Sequence, residues 1–205
     1  MFDINTLVIN IPVRSQGVKM CKVRWPTDAE WTAYMKSRQD VRRFSGRGKS
    51  ESSTTNIIPS NAALFNAIRQ DVDGVPFDDA MIEDVIDRLQ EFEFLESECT
   101  GETWTMQCTA ITTFPVSFEL REPTRKQAKL VRDKCFVKYD KFDRGASTYL
   151  TTHLGPAGAL YDELVVNAVG YSSAVPLLHK FGVVFHLIRA IEREVEEAQE
   201  LAGER

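Results

Sequence analysis

Three histidines are the first residues to test for chemistry: His153, His179 and His186. His179 and His186 are seven positions apart and share a helical face. A metal pair on one helix needs a separation of three or four, so the spacing argues against ligation. A core or partner-facing role is the expectation for both. His153 lies in TTHLGPAG, which reads as a loop, with no G-x-S-x-G nucleophile motif in the chain. The cysteines Cys21, Cys99, Cys108 and Cys135 are spaced by 78, 9 and 27 and form no CxxC pair. They read as buried, reduced thiols. In FSGRGKS, Gly46, Gly48 and Lys49 suggest a phosphate loop, but a Walker A motif needs four residues between its glycines. Asp71-Val72-Asp73-Gly74 lacks the further ligands of a calcium loop. The carboxylates Asp78, Asp79, Glu83 and Asp84 lie along one run and read as equally solvated, which does not suit acid–base catalysis. The chain therefore reads as a non-enzyme that needs no metal or cofactor.

The elements around these residues carry more information. VRWPTDAEW at Val23 to Trp31 returns as LREPTRKQA at Leu120 to Ala128, 97 positions later. At this shift Arg24 meets Arg121, Pro26 meets Pro123, Thr27 meets Thr124, and Arg47-Gly48 meets Arg144-Gly145. At a shift of 96, AALFNAI meets GALYDEL and Gly74 meets Gly170. Thr27 with Glu30, and Thr124 with Gln127, each spell a capping box. The proline before each threonine ends the incoming strand. Alternating stretches upstream, TLVINIPV with VKMCKVRW and WTMQCTAITT with PVSFEL, read as hairpins. Helices are expected over 28–43 and 125–138, then a loop, a short helix and a longer one. The expected fold is α+β, a β-β-α-loop-α-α unit written twice, with domains 1–98 and 99–205 and a boundary near Glu98 to Glu102.

Of the 205 residues 43% are hydrophobic and the net charge is −5, so bulk charge disfavours nucleic acid as a partner. The opening MFDINTLVINIPV has neither a basic region nor a long apolar run, and reads as no export signal. No stretch is apolar enough for a membrane span. Basic residues cluster at Lys36, Arg38, Arg42, Arg43, Arg47 and Lys49, whereas residues 71 to 98 hold eleven acidic side chains and one arginine, Arg88. Arg42, Arg43 and Arg47 are therefore expected at a helix end and loop as partner contacts. Trp25 and Trp31 bracket the first capping box, and read either as a hydrophobic staple or as exposed anchors for a partner. Val175, Leu178, Phe181, Phe185, Ile188 and Ile191 recur at steps of three or four. They define an expected apolar stripe, with Phe181 and Phe185 as docking residues.

The phrase V-R-W-P-T-D-A-E-W, the R-G-K-S-E loop and the later GALYDELVV and VGYSSAVPLLHKF stretches resemble small proteins encoded among the structural genes of tailed bacteriophages and prophages. The resemblance covers most of the chain and carries over no catalytic residues. It implies a tail-assembly chaperone or minor virion protein in the host cytoplasm or particle. Its partner would be another structural protein, such as a tape-measure protein, or a second copy in a homo-oligomer. An acidic protein that binds a host component is the remaining alternative.

Overall fold

Both capping boxes form. In the computed structural model Thr27 Oγ1 accepts from the Glu30 backbone N–H at 3.3 Å, and Glu30 accepts from the Thr27 N–H at 2.8 Å. Thr124 and Gln127 repeat the exchange at 3.2 and 2.9 Å. Each box satisfies two N–H groups that a helix start leaves orphaned. The structure describes residues 1–13, 17–37, 40–44, 50–54, 57–71, 76–111, 113–141 and 147–203.

The fold is α+β. Its elements are β1 (Leu7–Val13), β2 (Gly17–Val23), α1 (Asp28–Ser37), β3 (Asp40–Phe44), β4 (Ser50–Thr54), α2 (Ile57–Ile68), β5 (Arg69–Asp71) and α3 (Asp79–Gln90). Then come β6 (Phe92–Thr100), β7 (Thr103–Ala110), β8 (Phe114–Arg121), α4 (Arg125–Cys135), β9 (Phe136–Lys141), β10 (Ser147–Thr152), α5 (Gly155–Leu164), β11 (Val165–Val169) and α6 (Leu177–Gly203). The order β-β-α-β-β-α-β-α runs from β1 to α3 and again from β7 to α6, with β6 between.

This order corrects the expected unit. The first helix stops at Ser37, not Arg43, and the second at Cys135, not Lys138. Each helix leads into a β-hairpin rather than a loop. Phe136, Val137 and Tyr139 explain the second case, since β-branched and aromatic side chains favour a strand. The short strands β5 and β11 and the longer β6 are likewise absent from the expected order.

The chain forms two compact units, one of residues 3–91 with 133–153, the other of residues 1–2, 92–132 and 154–205. The β9–β10 hairpin, late in sequence, thus belongs to the unit built mainly from the first half. That unit holds the antiparallel sheet β1-β2-β5. Leu7, Ile9, Cys21 and Val23 face its core, while Val8, Asn10, Met20 and Lys22 are exposed. This is the period of two that pins a register. Helices α1, α2 and α3 complete the core with Trp31, Tyr34, Leu64, Phe65, Ile68, Val85, Ile86 and Leu89. Buried Asn61 accepts from Tyr34 Oη at 2.9 Å, which satisfies a polar group the core would otherwise penalise. A second sheet in this unit has the order β4-β3-β10-β9.

The other unit holds the sheet β11-β8-β7-β6. Trp104, Met106, Cys108 and Ala110 on β7 and Val116, Phe118 and Leu120 on β8 alternate inward. Helix α5 buries Ala157, Leu160, Tyr161 and Leu164, and α6 packs on α5. Phe2 joins this core. Its N–H donates to Gly170 O at 2.6 Å, and its ring meets Phe114, Tyr171 and His179 at centroid distances of 5.2 to 5.5 Å.

The two first-helix starts are tied alike, each to the last turn of a later helix, α2 or α5. Arg24 Nη2 donates to Ala67 O at 3.0 Å, and Arg121 Nη2 to Glu163 O at 3.1 Å. Arg24 also makes a two-pronged ion pair with Glu30 at 2.6 and 2.8 Å. That guanidinium, with the Thr27 N–H and hydroxyl, holds the Glu30 carboxyl down to about 2 from its ordinary 4.5, against an opposing effect of burial. A carboxyl lowered on folding stabilises the protein above about pH 4.5, and the contribution fades as pH falls toward about 2. Urea titrations of the parent and Glu30→Gln should therefore differ at neutral pH and converge across that window. A difference that stays constant with pH would contradict this role.

Candidate protein-binding surfaces

The two tryptophans are interior residues. Trp31 is 0% exposed and Trp25 6%, with ring centroids 5.8 Å apart and Trp31 in edge contact with Tyr34. This corrects their reading as exposed anchors: proline-led chain entry folds Trp25 back onto the first turn of α1, the staple arrangement. Arg42 and Arg43 belong to β3, not to a helix end, because the helix stops before them. Arg47 lies outside the described residues.

Phe181 and Phe185 lie on α6, half-buried, with ring centroids 4.7 Å apart. The deepest positions of this helix are His179, Val183, Val184, Leu187 and Ile188. Of the expected stripe only Ile188 is fully buried; Val175, Leu178, Phe181, Phe185 and Ile191 flank the buried face. The apolar arc is wider than one stripe, so sequence spacing alone misplaces its centre. A Cβ at Gly182 would sit 3.4 Å from the Phe92 ring, an ordinary packing distance, so the contact of α6 with β6 does not require glycine there.

His179 and His186 both face this contact. His179 stacks on Phe92 at 4.7 Å, is held by Tyr171 Oη at 2.9 Å from Nδ1, and is pushed down to about 3 by burial. It is a neutral core residue. His186 stacks on Phe94 at 3.7 Å, and its Nε2 lies 2.6 Å from Ser97 Oγ. Burial first, then Arg193 and Arg189, lower its pKa. A cleft of about 380 Å³ opens beside it, lined by Phe94, Ser97, Trp104, Arg193, Glu194 and Glu197 among others. A serine beside a neutral imidazole is the start of a nucleophilic site, but such a site needs a third group to orient the base. Among the described residues none bonds the other ring nitrogen. Sequence reasoning missed this pair because the serine sits on the unexpected strand β6, 89 positions away.

Buried Cys21 and Cys108 have thiols raised to about 11 and about 12 by desolvation, so they stay protonated and unreactive. Among the described residues no group of His, Cys, Asp and Glu is placed to hold a metal ion, and no helix is long and apolar enough to cross a membrane.

The last part of α6 is a different surface. The helix runs on to Gly203, yet every residue from Glu192 to Glu200 is exposed. Glu192 pairs with Arg132, while Glu194, Glu196, Glu197 and Glu200 make no ion pair among the described residues. Compared with known protein families, curated proteins and solved structures, the chain matches none.

Proposed function

We propose that this is a non-enzymatic phage protein that assists virion tail assembly in the host cytoplasm by binding another structural protein, such as a tape-measure protein. The tail assignment rests on the resemblance of VRWPTDAEW, RGKSE and the GALYDEL region. The observation that carries the binding role is the exposed arm of α6. An exposed helical arm gains little burial, and short helices are marginal on their own. Here Glu192, Glu196 and Glu200 stand at repulsive steps of four, and Glu200 lies in the last turn, at the negative end of the helix dipole. A basic partner segment would relieve both effects.

Deleting residues 192–205 should change the unfolding free energy by no more than about 0.5 kcal/mol, as expected for exposed positions. The same deletion should weaken capture of the structural partner at least about tenfold, the effect of losing about 1.4 kcal/mol of contact. Urea melts and quantitative pull-down from cells expressing the tail genes measure the two. Unchanged capture would contradict the role of the arm.

A second reading, a structural subunit of the tail or connector, is favoured by the outer strands β4 and β9 of the β4-β3-β10-β9 sheet, each of which pairs on one side only among the described residues. The repeated element order and the shared Thr-led caps support an internal duplication as the origin of both halves.

A further inference from the structure

The two hairpins of the four-stranded sheet have the same internal register. Phe44 faces Ser50 and Asp40 faces Thr54 in β3–β4; Lys141 faces Ser147 and Val137 faces Thr151 in β9–β10. Adding 97 to each position of the first pairing gives the second, residue for residue. The hairpins meet through β3 and β10, with Arg43 opposite Ser147, Arg42 opposite Thr148, Val41 opposite Tyr149 and Asp40 opposite Leu150. This contact joins the first strand of one hairpin to the second strand of the other. It is therefore heterologous rather than two-fold. The same displacement turns β3 into β9 and β10 into β4. The outer edges of the sheet are thus the counterparts of the pair that meets at its centre.

From this we propose that copies of the chain assemble head to tail, β4 of one copy pairing antiparallel with β9 of the next. The register carried over from the centre places Ser50 opposite Asp140, Glu51 opposite Tyr139, Ser52 opposite Lys138 and Ser53 opposite Val137 of the second copy. Strand directions already alternate across the sheet, so the incoming strand continues it. An open edge presents a row of backbone groups that invites such pairing. Charge selects the occupant. β4, SESST, carries only Glu51; β9, FVKYDK, carries Lys138 and Lys141 against Asp140. β4 is net acidic and β9 net basic, and the register sets Glu51 diagonal to Lys141 on one face, so β4–β9 pairing is attractive while either strand against itself brings together strands of like net charge. A heterologous contact leaves one edge of each kind free after every addition, so assembly continues to a closed ring or an open filament. The backbone register alone sets this contact, which depends on no phage partner.

The test uses the full chain. Light scattering of the parent should show a mass that rises with concentration beyond a dimer. The variants Ser52→Cys and Lys138→Cys, mixed and gently oxidised, should yield a disulfide between positions 52 and 138, identified by peptide mass mapping, that neither variant gives alone. Glu51→Lys should raise the concentration needed for assembly several-fold, and adding Lys141→Glu, which lies diagonal to position 51 on the same face in this register, should restore the parent value. A parent that stays monomeric at every concentration, assembly that stops at a dimer, or assembly without the 52–138 link would each overturn the proposal.

Discussion

Trp31→Ala is expected to lower the unfolding free energy by about 3–5 kcal/mol, the range for truncating a fully buried large aromatic side chain. Trp31 has no exposed surface, packs against Trp25 and Tyr34, and lies one turn inside the first capping box. Its removal leaves a cavity bounded by α1 and the rings around it, and neighbours held by the Thr27–Glu30 box cannot collapse freely into it. Urea denaturation followed by far-UV circular dichroism should give a much lower midpoint with little change in slope. A parent-like midpoint combined with lost partner capture would instead make Trp31 a binding anchor, contrary to its position in the core.

Gly170→Ala is the second large effect. Gly170 has φ +103°, a conformation that side-chain-bearing residues rarely adopt. An added Cβ would sit 2.6 Å from Pro115 O and 3.1 Å from Val116 Cα, both backbone atoms that cannot swing aside. Its carbonyl also receives the Phe2 N–H, which ties Phe2 to the aromatic cluster. Strain and clash together should cost about 3 kcal/mol. Gly101 is the control: its φ is +67°, but a Cβ there meets nothing within 4 Å. Gly101→Ala should cost about 1 kcal/mol, the conformational part alone. Equal melting temperatures for the two variants would show that the close approach at Gly170 does not constrain the fold.

Much of the fold was legible where a local signal has one physical outcome. Thr-x-x-Glu and Thr-x-x-Gln after proline mark helix starts, because the cap bonds are made within four residues. Alternation in LVINIPV and TWTMQCTA marks strands, because one face must meet the core. The helix ends were less legible. Arg42, Arg43 and Lys138 suit an exposed helix as well as an exposed strand, and what decides between them is the sheet built from hairpins about a hundred positions apart. The strand β6 was hidden for a related reason. Glu93, Glu96 and Glu98 look like a solvated acidic helix end, yet a charged, bulged edge strand is stable once β7 supplies its ladder. The tryptophans illustrate a limit of composition: the same pair serves equally as interface anchors or as a staple, and only packing distinguishes them.

The role proposed for this chain is to hold another protein of the particle. The most direct measurement is quantitative mass spectrometry of what the intact, tagged chain captures from cells that express the tail genes, compared with the same chain lacking residues 192–205. The expected result is one long structural protein, enriched in near-stoichiometric amount with the intact chain and lost with the truncated one. No tail protein above background with the intact chain, at expression levels where the chain itself is recovered folded, would contradict that role.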